Sequence, residues 1–359
     1  MAKKTKKKGR SSNIGGQAVI EGVMMRHDED VAVAVRRPDG EIEVGKSKYQ
    51  NLTKKSPFFA WPIVRGVVSF ISSLILGIKT LTYSASFYED DIEKENGKLD
   101  KTIDSTFKSK GESAVMVFTV VFALIIAIAL FIVLPYVVST LILKFTNITS
   151  STLLAVIEGV IKLGIFIGYI ALISRMKDIK RTFMYHGAEH KCINCIEDGL
   201  PLTVENVMKS SKEHRRCGTS FIFFVLFISI IFFIFIRVDT IWLRLLIRLL
   251  LVPVIAGVSF EFIRWAGNSN SKAALILSRP GMWMQALTTK EPTEDMVEVG
   301  IASVEAVFDW KAYQEGIDDL FETEEIVIER PEKTIEEVIA APENNEPVEK
   351  ADDETVSWL

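Results

Sequence analysis

The chain has 359 residues, 48% of them hydrophobic, and a formal net charge of −4. Its apolar residues are grouped in long blocks and its mean hydropathy is positive, at +0.25, which excludes an ordinary soluble domain. The basic residues lie beside those blocks, so the charge pattern does not indicate nucleic-acid binding. The three cysteines lie in one segment, which is not the pattern of a secreted disulfide framework.

The N-terminal part predicts a short disordered start and a small β region. Residues 1–12 are basic and lack the apolar core of a signal peptide, so we expect them to be uncleaved. Residues 13–56 predict one strand over GGQAVIEGVMMR and a hairpin around Pro38-Asp39-Gly40. Glu21 interrupts the apolar strand and is a candidate substrate or metal contact, although a solvated position at a strand end is the simpler interpretation.

Residues 57–88 predict an interfacial or re-entrant helix. The uncharged stretch between Arg65 and Lys79 is shorter than the roughly 20 residues that a membrane span needs. A segment of this length and composition is typical of a helix lying on the membrane or dipping into it. The charged residues that follow, 89–113, predict a polar connector.

Two pairs of apolar runs predict an α-helical integral membrane bundle of about four spans. Each run approaches or exceeds the length that crosses the bilayer. Glu158 and Lys162 interrupt the second run at i,i+4 spacing, so we expect them to neutralise each other. The first pair occupies residues 114–174 and the second occupies residues 219–264; the four runs are 114–143, 151–174, 219–236 and 241–262.

Basic residues flank the segment between the two helix pairs, residues 175–218, at both ends. By the positive-inside rule this segment and both termini are cytoplasmic, in a multi-pass protein of the plasma (inner) membrane. Residues 265–310 predict a cytosolic amphipathic region. Residues 311–359 predict an acidic, mostly disordered tail.

Six of the seven histidines and cysteines of the chain lie between His186 and Cys217. His186, Glu189 and His190 form an H-x-x-E-H pattern. On a helix, histidines four residues apart project from one face and can share a metal, with the glutamate accepting a proton from the attacking water. The pattern therefore predicts a catalytic metal site, zinc being the expected ion.

A second pattern follows in the same segment, because C-x-x-C at Cys192 and Cys195 precedes H-x-x-C at His214 and Cys217. This spacing is typical of a Cys3His structural zinc site with its half-sites on turns. Six donors exceed the four that zinc takes, so either two sites or one mixed site is expected. The alternative without metal places the histidines at the headgroup level and the cysteines in apolar packing.

Glu261, inside the last apolar run, is a further candidate catalytic or metal-binding residue. An acidic residue in an apolar run is costly and is expected to be functional or paired. It either supplies a carboxylate ligand beside His186 and His190 or pairs with Arg264.

Four motifs in order resemble one known family: GGQAVIEGVMMR, YHGAEHKCINC, RRCGTSF and PGMWMQALTTKEP. They are similar to those of the YqhQ-like membrane proteins, a domain-of-unknown-function family described as predicted metal-dependent enzymes. The resemblance covers roughly residues 13–310. It implies that the following residues match family motif positions: Glu21, His186, Glu189, His190, Cys192, Cys217 and Glu261.

Two functions follow as hypotheses. The first is a metal-dependent hydrolase acting at the cytoplasmic membrane face on a lipid-linked or membrane-peptide bond. The second is a non-enzymatic membrane factor, in membrane-protein assembly, insertion or a larger complex, with a structural zinc site. The expected partners are the lipid bilayer and either a membrane protein complex or a second copy of the chain, without nucleic acid. A transporter is less favoured, since about four spans without repeat symmetry make a poor transport path.

Overall fold

The computed structural model describes residues 11–49, 52–54, 56–88, 111–146, 151–235, 240–269 and 271–315. Most of the predicted basic start, polar connector and acidic tail lies outside these residues.

The N-terminal region forms a four-stranded antiparallel sheet in the order β1-β2-β3-β4. The sheet confirms the predicted β element, but the expected single strand over GGQAVIEGVMMR is two strands. Glu21 takes a positive φ of 48° in the turn between them, and Val19 pairs with Gly22 across that turn. The strands are β1 (Gly15–Val19), β2 (Gly22–His27), β3 (Asp30–Arg36) and β4 (Ile42–Lys48).

Both faces of the sheet are covered, since successive side chains of a strand point to opposite faces. Val23 and Met25 of β2 join a core with two helices described below, Lys177–Glu197 and Glu294–Glu305. Met24 faces the other way and packs with Tyr83. The sheet is therefore an interior layer of the fold.

The helix α1 (Val64–Ala85) runs between the sheet and the long helices. Near its start, Gly66 meets the backbone of Gly257, where a Cβ would lie 2.6 Å from a carbonyl oxygen. Further along the helix, Gly77 lies against Gln17 of β1. The uncharged stretch on which the sequence prediction rested is thus part of a longer continuous helix of 22 residues.

Both ends of the segment that contains α1 return to the same sheet. Tyr49, just after β4, donates its backbone N–H to Glu29 O at 2.6 Å. Tyr88, just after α1, donates its hydroxyl to Arg36 O. Both tyrosines pack against the same sheet face. The described residues on the two sides of α1 therefore contact the same face of the sheet.

A long broken helix follows, and its break has a local cause. A π-helical turn, Ala129–Val133, separates α2 (Gly111–Ile128) from α3 (Leu134–Thr146), and Pro135 stands at the start of α3. Proline lacks an N–H and its ring crowds the carbonyl four residues earlier, so a wider turn relieves the clash. The long apolar helices are α2 (Gly111–Ile128), α3 (Leu134–Thr146), α4 (Ser151–Ile173), α7 (Gly218–Phe235) and α8 (Ile241–Asn268).

In the part of the chain that the structure describes, five segments are long and apolar enough to cross a membrane. Many of their large apolar side chains are exposed, for example Leu172 at 65% and Leu250 at 66%. Such surfaces are unfavourable in water and are expected against lipid. The five segments are Val64–Ala85, Val121–Ile142, Ala155–Ile173, Gly218–Phe235 and Leu246–Ala266.

The segment predicted as a cytoplasmic loop is mostly helical. Its main element, α5 (Lys177–Glu197), carries the histidine motif and is buried between the sheet and the helix α10 (Glu294–Glu305). Thr203 caps the short helix α6, accepting from Asn206 N. The remaining helices are α5 (Lys177–Glu197), α6 (Val204–Lys209), α9 (Lys272–Thr288), α10 (Glu294–Glu305) and α11 (Trp310–Glu315).

Candidate metal centre

Three of the predicted ligands converge where α5 meets the start of α7. One ligand atom each from His186, His190 and Cys217 lies within 4.8 Å of the others. The Nε2 atom of His186 is 3.3 Å from Cys217 Sγ, and the two imidazole centroids are 4.4 Å apart. The helix supplies both histidines from one face, as their i,i+4 spacing predicts.

Backbone carbonyls hold the two imidazoles in matching orientations. His186 Nδ1–H donates to Thr288 O at 2.9 Å, and His190 Nδ1–H donates to Lys212 O at 2.6 Å. A carbonyl can only accept, so each ring keeps the lone pair of Nε2 for a ligand. Metal-binding histidines are commonly oriented in this way.

The buried Nε2 atom of His190 has no hydrogen-bond partner among the described residues. His190 itself is 1% exposed. A buried polar atom without a partner is costly and indicates a ligand such as a bound metal ion. Together with the facing Cys217 sulfur, this atom fits a divalent metal that accepts imidazole and thiolate ligands.

Close backbone packing brings Thr288 to the cluster. At Gly187 a Cβ would lie 2.0 Å from Lys290 O, so the chain after α9 touches the backbone of α5 directly. Lys290 N donates to Phe183 O at 2.8 Å. Any side chain at position 187 would push the two segments apart and would move Thr288 away from His186.

Glu189 lies beside the three-ligand cluster, with Oε2 4.0 Å from His186 Nε2. Burial raises the pKa of Glu189 to about 7, and the nearby His186 opposes this increase. Gly16 provides the room, because a Cβ there would lie 2.7 Å from Glu189 Cγ. The carboxyl is therefore held in an enclosed position next to the metal ligands.

Cys192 and Cys195 lie away from the cluster. Cys192 Sγ packs against Gly300 of α10, where a Cβ would lie 2.9 Å away. Cys195 donates its thiol to Pro201 O at 3.5 Å. Burial raises the pKa of both thiols. Among the described residues, the predicted grouping of Cys192 and Cys195 with His214 and Cys217 is not assembled.

The geometry of α5 explains this separation. At about 100° per residue, positions 192 and 195 are rotated by roughly 120–180° from His186. The C-x-x-C pattern lies in the interior of a helix and not on a turn as the sequence suggested. Its thiols therefore face the packed core, while the two histidines face α7 and α9.

His214 has a supporting position near the cluster. Its ring centroid is 5.7 Å from that of His190, and its Nε2 is 3.6 Å from Glu197 Oε2. Gln285 fixes its backbone, accepting from His214 N at 2.9 Å and donating to His214 O at 2.7 Å. Burial lowers the pKa of His214, and the contact with Glu197 opposes that shift.

Glu197 is a partly buried junction that the sequence did not reveal. It accepts from Ser12 N and Ser12 Oγ, each at 2.8 Å, and pairs with Arg216. Burial raises its pKa, but His214, Arg216 and Ser12 outweigh that effect and bring it to about 2. The junction ties the N-terminal segment and α5 to the residue that precedes Cys217.

Lys191 and Asn194 clamp the segment that orients His190. Lys191 is 4% exposed, and its Nζ donates to Met208 O at 2.8 Å and Ser210 O at 2.9 Å. Asn194 Nδ2 donates to Ser211 O at 2.6 Å. The two side chains flank Lys212, whose carbonyl accepts from His190. No local sequence pattern indicated this clamp.

Glu21 lies outside the three-ligand group, in an ion pair with Arg181. It also accepts from the Tyr185 hydroxyl at 3.2 Å. Glu21 thus connects the first β-turn to α5 immediately before His186. Its position is that of a structural link between the sheet and the metal helix.

Glu261 forms a bidentate pair with Arg65 of α1, at 2.9 Å to Nε and 2.6 Å to the terminal nitrogen. Arg264, the partner suggested from the sequence, is therefore wrong. Glu261 also does not belong to the three-ligand group found among the described residues. The expected Glu158–Lys162 pair is likewise replaced by a bidentate pair between Glu158 and Arg248. In both cases a distant helix supplies an arginine.

Comparison with known proteins gives two matches. The family described as "Protein of unknown function (DUF1385)" matches residues 61–310. The uncharacterized protein YqhQ of Bacillus subtilis (strain 168) is 36% identical over 310 residues, which cover 84% of this chain and 94% of that protein. No solved structure matches the chain.

Proposed function

The chain belongs to the DUF1385 family of proteins of unknown function, and from its His/Cys cluster we propose that it is an integral membrane, metal-dependent hydrolase. The observation that carries this proposal is the convergence of His186, His190 and Cys217 with their ligand atoms within 4.8 Å. Three protein ligands beside a carboxyl are typical of catalytic zinc sites, which keep one coordination position open. A closed structural site needs a fourth protein ligand.

Zinc is the ion that this ligand set fits best, since it accepts both imidazole nitrogen and thiolate sulfur. A bound divalent ion supplies Lewis acidity, polarising the substrate and making a water molecule more acidic. Glu189 is the group that would take the proton of the attacking water and pass it to the leaving group. Lys191 and Asn194 hold the segment around Lys212 in place, and this segment keeps His190 oriented as a metal ligand.

The place of the cluster in the fold suggests the substrate class. Cys217 immediately precedes α7, a candidate span, and Thr288 is the last residue of α9. The site therefore lies at helix ends, where a membrane meets its aqueous surface. A lipid-linked or membrane-peptide bond can reach this position, and the basic residues around 175–218 favour the cytoplasmic face.

Replacement of Glu189 by glutamine tests the catalytic role. We expect the Glu189→Gln variant to keep its metal and its fold, because glutamine has nearly the same size. Hydrolysis of ester and amide probes in detergent–lipid micelles is expected to fall about 10²–10⁴-fold, the usual contribution of a general base. Elemental analysis and turnover are measured on the same preparation.

The matched control is Glu205→Gln, which removes a carboxyl from an exposed pair with Lys209 and is expected to leave turnover unchanged. A metal-loaded Glu189→Gln variant that hydrolyses the probes at the wild-type rate would disprove the proposed base.

The second candidate is a non-enzymatic membrane factor in which the metal only fixes the fold around α5. The deep burial of His190 and Cys217, at 1% and 5% exposure, favours it. In this case metal removal would disrupt a complex with other membrane proteins, and the wild type would hydrolyse none of the probes. Metal-dependent turnover that Glu189→Gln abolishes excludes this alternative.

For the segment 49–88 we propose a re-entrant path rather than a crossing. Both of its ends pack on one face of the sheet, while Arg65 pairs with Glu261 inside the candidate span Leu246–Ala266. The remaining four candidate spans then place the sheet, α5 and α10 on one side. This arrangement agrees with the positive charges that flank residues 175–218.

Single engineered cysteines test this path in sealed vesicles. Asn13→Cys and Thr240→Cys are expected to react with a membrane-impermeant maleimide from opposite sides, because an odd number of spans separates them. Trp61→Cys is expected to react from neither side, since it lies within the hydrocarbon. The wild type, whose three cysteines are buried, provides the background. Reaction of Trp61→Cys from the same side as Thr240→Cys would show that α1 crosses the membrane.

A further inference from the structure

A second polar site lies at the other end of α7 from the His/Cys cluster. A cavity of about 60 Å³ is lined by Glu158, Lys162, Ser229, Phe233 and Arg248, with apolar side chains completing its wall. Residues 229–233 follow Cys217 by 12–16 positions, which is roughly 18–24 Å along a helix. The two sites therefore belong to opposite halves of the bundle.

The cavity carries more positive than negative charge. Glu158 and Arg248, both 6% exposed, neutralise each other in a bidentate pair. Lys162 is the additional cation, and its Nζ lies 5.3 Å from the centroid of the Phe233 ring. Among the described residues no salt bridge or hydrogen bond to Lys162 is present, so the carboxylate of Glu158 is taken by the arginine.

Such an excess cation is unfavourable inside an apolar bundle unless an anion accompanies it. Phe233 is close to the last residue of α7, Phe235, and the Lys162 ammonium lies at the level of its ring. Long cationic side chains near helix ends extend toward the phosphates of the membrane surface, here the surface opposite the His/Cys cluster. The cavity continues from this point toward the middle of the bundle. Its volume admits a few water molecules or one small oxyanion, and its apolar walls suit the neighbouring acyl chains.

We propose that this cavity binds the phosphate group of an anionic phospholipid, with Lys162 as the direct cationic contact and Arg248 as the second positive group. Charge-assisted hydrogen bonds from an ammonium or guanidinium to phosphate are strong. The Glu158–Arg248 pair keeps the guanidinium fixed and prevents the site from carrying a larger uncompensated charge. The inference does not depend on the proposed hydrolase, since it uses different residues in a different half of the protein.

The full-length protein in nanodiscs tests this inference. The probe is phosphatidylglycerol mixed into phosphatidylcholine, and the readout is native mass spectrometry of retained lipid with thermal unfolding. The wild type is expected to retain phosphatidylglycerol and to unfold at a higher temperature in its presence. Lys162→Met is expected to weaken this preference about fivefold, the contribution of one lysine to anionic lipid binding.

Two control variants and a test with inorganic phosphate accompany the Lys162→Met measurement. Lys162→Arg keeps the charge and is expected to retain the preference. Lys144→Met removes an exposed lysine near the end of α3 and is expected to leave it unchanged. If millimolar inorganic phosphate stabilises the wild type in neutral detergent and not Lys162→Met, the phosphate is a soluble ion and not a headgroup. An equal lipid preference in the wild type and Lys162→Met overturns the proposal.

Discussion

The purified protein is expected to hold a single divalent ion per chain, and the His190→Ala variant is expected to lose it. His190 contributes a buried Nε2 atom that has no partner among the described residues. Removal of an outer-shell partner alone typically costs 10–100-fold in metal affinity, so loss of a direct ligand is expected to cost more than about 100-fold. Cys217→Ala is expected to behave in the same way. Elemental analysis after dialysis against a weak chelator measures the effect.

The same measurement distinguishes the arrangements that the sequence left open. Cys192→Ser is expected to keep the metal, because Cys192 packs against Gly300 on another face of α5. Two ions per chain, or a loss of metal in Cys192→Ser equal to that in His190→Ala, would contradict the three-ligand site. An ion-free wild type that is indifferent to chelators would contradict the metal proposal altogether. At a free metal concentration of 100 times the Kd, metal binding is expected to stabilise the folded protein by about 2.7 kcal/mol.

The histidine motif could be predicted from the sequence because its geometry is local. The spacing of His186 and His190 fixes both imidazoles on one helix face whatever surrounds them. The C-x-x-C pattern misled for the same reason. Its ligand-like spacing is compatible with a turn or a helix, and only the tertiary structure places Cys192 in a packed core.

The supporting residues could not be predicted, since their contacts join distant parts of the chain. Glu197 meets Ser12 over 185 positions, and His186 meets Thr288 over 102 positions. The partners of charged residues inside apolar runs could not be predicted for the same reason. The sequence suggested nearby partners for Glu158 and Glu261 at helical spacing, whereas arginines from other helices, Arg248 and Arg65, form the pairs, because each meets its carboxylate in bidentate geometry.

The small sheet and the apolar helices could be recognised because alternation and long uncharged runs are strong local signals. The full length of α1 could be recognised only in the structure. Length and composition make α1 a candidate span, while the sequence suggested a shorter element between Arg65 and Lys79. Arg65 lies within the helix because Glu261 compensates its charge, and this compensation is visible only when α1 and α8 are placed together.

Replacement of Glu158 by glutamine is expected to destabilise the helical bundle by about 3–5 kcal/mol, the usual cost of removing one partner of a buried ion pair. Arg248 would remain buried without a carboxylate, next to Lys162, and the amide of glutamine can accept hydrogen bonds but carries no charge. Thermal and chemical unfolding in one detergent, with the metal content held constant, measure the loss. The exposed pair of Glu205 and Lys209 offers a control, since Glu205→Gln is expected to produce no measurable change.

A double variant separates the loss of an interaction from the burial of an unpaired charge. Glu158→Leu combined with Arg248→Met removes both charges and fills the same space with apolar atoms. It is expected to recover most of the stability that Glu158→Gln loses, because the main cost lies in the uncompensated arginine and not in the missing attraction. If the double variant is less stable than Glu158→Gln, the ion pair itself holds α4 and α8 together. If Glu158→Gln is as stable as the wild type, Arg248 is not buried in the bundle as the structure places it.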